Sequence, residues 1–427
     1  MKARKISSIF ILIVALSVLS GCNRTHASIL TEYVPSGDLI SSAPAGSAGF
    51  TAGLSGSSFI PVEPSNSIAT PNDIASTGPI IAPTMELVGN WVDNISTVSE
   101  KNDIYEIYSP EELAWVASTV NNGQSFAGKI VMLMADIDLA GKEWTPIGAH
   151  LMSSAALYKM STTFTGTFDG NYKVIKNLSI GTEGKPSQYG KTVELGGGMS
   201  RSGYVGLFGI CGEFGITAPE TVIKNIGLED VSIYTVAGGA GALIGLSWGA
   251  YVENCYTTGK IISYAPEVTA GGLIAELSAW NEISVNNCYS KVNLSCGNGD
   301  ADELFAGLGG LIGNIDNANK PVIVNCYAIG NTNTAGRHGG LLGRGNYSFV
   351  KGGIVSSYHN ADVNEYMVQS VDFFWEPGFE EIKMYARTTA ELKTQSTYKD
   401  WDFVNTWGIN ENRNDGYPYL RGFTLNR

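Results

Sequence analysis

Few groupings in the sequence combine residue type and spacing in a way that chemistry could use. Gly245-Leu246-Ser247-Trp248-Gly249 spells a nucleophile elbow, which needs a strand, a sharp turn, a helix and a histidine partner. The pentapeptide overlaps a repeat element instead, and the chain's histidines are His26, His150, His338 and His359, so acyl transfer is not expected. Asn298, Asp300 and Asp302 alternate oxygen donors that could hold calcium, but the glycine and twelfth-position Glu of an EF-hand loop are missing. An ordinary polar turn is the alternative, and no metal or cofactor is assigned. Tyr256, Tyr289 and Tyr327 each follow a cysteine. In register they would form an outward ladder of rings, able either to stack on sugars or to stabilise a sheet by cross-strand pairing.

These residues sit in repeats. Gly206-Leu207-Phe208-Gly209, Ala242-Leu243-Ile244-Gly245, Gly272-Leu273-Ile274-Ala275, Gly310-Leu311-Ile312-Gly313 and Gly340-Leu341-Leu342-Gly343 start 36, 30, 38 and 30 residues apart. Interleaved with them are Ile175-Lys176-Asn177-Leu178, Ile223-Lys224-Asn225-Ile226, Val252-Glu253-Asn254-Cys255, Val285-Asn286-Asn287-Cys288 and Ile323-Val324-Asn325-Cys326. Short β-branched runs punctuated by glycine at this period indicate an all-β, parallel β-helix or solenoid, right-handed by the general crossover rule. Within the second motif, residues three apart cannot share one face of a straight strand, so a corner lies between them. Asn177, Asn225, Asn254, Asn287 and Asn325 at that corner would stack as a hydrogen-bonded ladder. Leu178, Ile226, Cys255, Cys288 and Cys326 would then stack in the interior, as core thiols rather than a disulfide framework.

With these motifs the chain resembles the GLUG-repeat family of bacterial surface proteins, from about Ile104 to Leu420. Ala135-Asp136-Ile137-Asp138-Leu139, Trp144-Thr145-Pro146-Ile147-Gly148, Phe164-Thr165-Gly166-Thr167-Phe168-Asp169-Gly170 and Gly416-Tyr417-Pro418-Tyr419-Leu420 add to the resemblance, from which Ala242 and Ala275 depart. It implies a β-solenoid built from GLUG-type repeats on an adhesin-like surface protein.

An open terminal coil presents unpaired edges, so both ends need covering. Ser109-Pro110-Glu111-Glu112 reads as a capping box opening a helix that stops at Asn121-Asn122-Gly123, and Thr388-Thr389-Ala390-Glu391 opens a shorter one. The repeat core runs from about 164 to 360, between caps at 104–148 and 385–427. Two insertions interrupt it, 150–163 and 181–203, the second carrying Lys185, Lys191 and Arg201. Long loops on rigid scaffolds are where binding usually resides, with surface decoration as the bland alternative.

At the N-terminus, Lys2, Arg4 and Lys5 precede an apolar run from Ile9 to Leu19, too short to span a bilayer. Leu19-Ser20-Gly21-Cys22 resembles the lipobox of bacterial lipoproteins, which makes residues 1–21 a signal peptide and Cys22 the site of lipid attachment. An ordinary signal peptide with a stray cysteine is the alternative. Residues 22–85, rich in Ser, Gly, Pro, Ala and Thr, read as a disordered stalk leading to the solenoid at 86–427.

A net charge of −13 with no basic stripe argues against nucleic acid as a partner. The expected protein is exported and membrane-anchored, non-enzymatic, and offers a rigid solenoid to glycans or to host or neighbouring-cell proteins. A carbohydrate-active lyase or hydrolase would need carboxylates and basic residues gathered in one groove, and a purely structural spacer would need neither.

Overall fold

The computed structural model describes residues 86–425, apart from 149–161, 192, 197–198, 202, 214–220, 266–267, 279–281, 298–306, 317–319, 333–337, 347–352, 365–369 and 373–384. Cys22, the segments read as a signal peptide (1–21) and a stalk (22–85), and the calcium candidates Asn298, Asp300 and Asp302 lie outside the described residues.

The chain from Met85 to Arg427 is one compact unit, a parallel β-solenoid. A typical coil holds four short strands. One coil runs Tyr251–Glu253, Tyr256–Ser263, Thr269–Gly271 and Ile274–Ser278, and each pairs in parallel with its counterpart in the next coil. Stacking gives a 15-stranded sheet that bends at the Asn corner, a 5-stranded sheet from Tyr204–Val205 to His338–Gly339, and a 6-stranded sheet from Phe208–Gly212 to Ser370–Asp372. One continuous apolar core fills the interior, from Leu113 near one end to Ile354 near the other.

Helix α1 (Pro110–Asn121) closes the N-terminal end, burying Leu113, Ala114, Val116, Ala117 and Val120. Ser109 caps it by accepting from Glu112 N–H, but the expected box is only half formed. The Glu112 carboxylate accepts from Tyr108 N–H at 2.6 Å, one residue upstream of the cap. Helix α2 (Thr389–Leu392) carries the full box between Thr388 and Glu391.

Beyond α2 the chain does not merely plug the last coil. It turns back along the outside of the solenoid, stapled by an antiparallel pair, Trp407–Gly408 with Tyr419–Leu420. Trp401 packs on Tyr358 and Tyr327, Trp407 on Tyr327 and Tyr289, and Phe423 on Tyr256 and Tyr172. This strap makes a second apolar core distinct from the interior one.

Candidate functional site

Tyr256, Tyr289 and Tyr327 do form a ladder. Their rings stack 4.9 and 5.0 Å apart with interplanar angles of 4° and 7°. They point away from the coil interior, yet they are only 6%, 4% and 0% exposed, because the strap lies over them. Of the two readings of this ladder the sheet-stabilising one fits, since the rings form a buried seam and not a stripe open to sugars. Tyr327 donates to the carbonyl of Pro418 at 2.6 Å, and burial holds its hydroxyl well above the usual tyrosine range. The ladder has a fourth ring that sequence reading missed, Tyr358, in register with Tyr327. Its motif, Ile354-Val355-Ser356-Ser357-Tyr358, carries serines where other copies carry Asn and Cys.

Asn177, Asn225, Asn254, Asn287 and Asn325 all adopt left-handed φ of 50–57° at corners. Asparagine tolerates this region where most side chains do not. The ladder they make is interrupted. Asn254 Nδ2 donates to Asn225 Oδ1 at 3.1 Å and Asn325 Nδ2 to Asn287 Oδ1 at 3.4 Å, while Asn225 donates back to Asp169. Asn177 is not part of it. Glu229 pairs with Lys176, and Asn177 N–H donates to the Glu229 carbonyl, which places Asn177 beside Asp230, five residues beyond Asn225. Leu178 accordingly sits beside Val231, and the interior stack begins at Ile226. The counterpart of the Asn225 corner in that coil is the two-residue left-handed bend at Asn171 and Tyr172, and Asn177 turns at a second corner, opposite Asp230 with φ 59°.

Cys255, Cys288 and Cys326 are buried free thiols. The amide of Cys255 donates to Cys288 Sγ and that of Cys288 to Cys326 Sγ, both at 3.4 Å, and Cys326 N–H continues to Ser357 Oγ at 3.1 Å. A small side chain with an acceptor atom satisfies the corner amide of the coil before it. Burial raises the Cys255 and Cys288 thiols well above their ordinary range, which leaves them unreactive.

Ser247 of the elbow-like pentapeptide lies on strand Ile244–Trp248, fully buried, its Oγ accepting from Ala250 N–H at 3.2 Å. No acyl group could reach it. Among the described residues no group of three His, Cys, Asp or Glu side chains is placed to hold a metal.

The arrangement with most chemistry lies on the opposite flank. The residue after each Gly-Leu-x-Gly motif falls in a single column of the 6-stranded sheet: Ile210, Leu246, Glu276, Asn314, Arg344, then Ser370. Their neighbours Ser247, Leu277 and Ile315 are 0%, 1% and 6% exposed and face inward, while Glu276, Asn314 and Arg344 are partly exposed. Tyr204, from the 5-stranded sheet, crosses to this column and donates to Glu276 Oε2 at 2.9 Å. A Cβ at Gly245 would fall 2.7 Å from Tyr204 Cβ, and one at Gly307 only 2.9 Å from the carbonyl oxygen of Gly313 and 3.3 Å from Arg344 Cβ. The outer faces of the two sheets thus converge, and glycine permits the approach. The result is a trough parallel to the solenoid axis, with a phenol, a carboxylate, a carboxamide and a guanidinium along it. The signal was present in the sequence as the position after the motif that changes from apolar to polar between copies.

No protein-family model matches the chain, and no curated protein matches it. Among solved structures, the crystal structure of a putative immunoglobulin A1 protease from Bacteroides ovatus is similar over 77% of this chain and 95% of that one, at 17% identity and a TM-score of 0.47. A likeness this distant bears on neither activity nor substrate.

Proposed function

We propose that the protein is a surface-held binding or adhesion protein of the GLUG-repeat type. In this reading residues 1–21 direct export, acyl chains on Cys22 hold the chain to a membrane, and residues 22–85 carry the solenoid outward to meet glycans or proteins of a host or neighbouring cell. The observation that carries the reading is the trough. It sets Glu276, Asn314 and Arg344 on consecutive in-register strands of a scaffold closed by α1 and the strap, and rigid elements hold recognition groups better than loops do. Its test is a screen of soluble protein from Asn23 onward on glycan and host-matrix arrays, where reproducible retention is expected and none on any array defeats the reading. The anchor is tested separately: Cys22→Ser should release the protein from the membrane fraction and abolish acyl labelling.

A carbohydrate-active enzyme is the second reading, favoured by one observation, the Glu276 carboxylate bonded to a phenol within the trough. Glycosidases ordinarily pair two carboxylates, and Glu276 is the one acidic side chain described in that column. Turnover of bound glycan that disappears in Glu276→Gln would establish the enzyme.

A further inference from the structure

We infer that the trough binds an extended, uncharged glycan lying along the solenoid axis, an assignment that rests on the binding function proposed above. Successive rungs of a parallel sheet are about 4.8 Å apart, close to the length of one sugar ring, so a chain lying along the axis meets a new side chain with each unit. Those side chains are a carboxylate, a carboxamide and a guanidinium, each planar and able to make two hydrogen bonds at once. Vicinal hydroxyls, which both donate and accept, match such a series. A polymer of one charge sign does not, since Glu276 and Arg344 flank Asn314 with opposite charges, and the chain's net charge of −13 further opposes a polyanion.

The ends of the trough support the same occupant. Ile210 and Leu246 are 1% and 4% exposed, so the open column begins at Glu276, beside the half-buried ring of Tyr204. Trp248, partly exposed, stands two residues along the strand from Leu246 and therefore on the same face. From Glu276 to Arg344 the open column covers two rung spacings, about 10 Å, which accommodates roughly three sugar units.

The test titrates the purified full-length protein with neutral gluco-, manno- and N-acetylgluco-oligosaccharides of increasing length. At least one series should bind, with affinity rising up to about three units and then levelling off. Asn314→Ala and Arg344→Ala should each weaken it about tenfold or more, as loss of a hydrogen bond involving a charged or amide group implies. Lys291→Ala, on the strap-covered flank, should leave it unchanged. Equal binding by the trough variants would overturn the site while sparing the binding function. Binding of acidic glycans or matrix peptides alone, lost in the same variants, would overturn the ligand class. Absence of binding to every glycan and matrix protein would end both.

Discussion

Trp407 donates its indole N–H to the side-chain oxygen of Asn287, 3.3 Å away and 120 residues earlier in the chain. The contact falls where the corner ladder breaks, since no side-chain bond links Asn254 to Asn287 and Asn254 Oδ1 has no partner among the described residues. The Asn287 oxygen thus accepts from both the strap and Asn325, on the coil that the ladder fails to join to Asn254.

Trp407 is fully buried, with its ring centroid 4.3 Å from that of Trp401 and 6.2 and 6.1 Å from those of Tyr289 and Tyr327. Trp407→Ala should lose about 3–5 kcal/mol in denaturant unfolding, and Trp407→Phe less, because the ring's volume is partly kept. Amide hydrogen exchange along the tyrosine ladder should rise in the alanine variant. A loss below about 1 kcal/mol would show that the strap is only loosely held.

At the corner, Asn325 has φ 53° and donates to Asn287. Alanine strains this backbone by about 1–2 kcal/mol and removes the bond, whereas glycine only removes the bond. Melting temperatures should therefore rank Asn325 above Asn325→Gly, and that above Asn325→Ala.

Burial pushes the Cys211 thiol up to about 12 and holds those of Cys255 and Cys288 well above their ordinary range. Iodoacetamide at pH 8 should leave these three unlabelled in the native protein and label them in denaturant, as mass spectrometry would read. Cys288→Ser should be well tolerated, since Ser357 makes the same bond to the preceding coil.

His359 is fully buried, and neither ring nitrogen makes a hydrogen bond of good geometry. A Cβ at Gly340 would fall 2.3 Å from its ring. Gly340→Ala should destabilise the protein markedly, and His359→Ala in the same chain should recover part of that loss, as the nonadditive term of a double-mutant cycle.

The same histidine sets a pH dependence. Burial, with Arg387 adding repulsion, lowers its pKa from 6.5 to about 4, and the nearby Asn364 backbone offsets only part of that. The unfolded chain therefore binds the proton first as pH falls, so stability declines between about 6.5 and 4 and this contribution levels off below. The full effect is roughly 3 kcal/mol. Urea midpoints of the wild type and His359→Leu across that window should diverge; parallel curves would remove His359 from the account.

The corners were legible because the requirement is local: a left-handed residue wants Asn or Gly, and both motifs recur with the coil. The register was not. Asn177 shares its motif with Asn225, but pairing depends on how many residues a coil spends on its bends, and the bend at Asn171 and Tyr172 leaves no mark in the motif. The strap was invisible for a different reason. Trp401, Trp407 and Phe423 meet partners far earlier in the chain with no periodicity to announce them, so a Tyr ladder exposed by strand alternation alone proved to be an internal surface. The trough residues follow their motif faithfully, but the direction they face is set across Gly245, where the strict alternation of the strand is broken.

A solenoid whose repeats touch only their neighbours can gain or lose a coil with little penalty elsewhere. Here Trp401 sits at the level of Tyr358 and Phe423 reaches Tyr256 and Tyr172, so the strap measures the stack from one end towards the other. One coil more or fewer would move its anchors out of step by about 4.8 Å. The chain thus carries a ruler: copy number is locked by the strap, whose anchors can all dock only when the coils between them are in place.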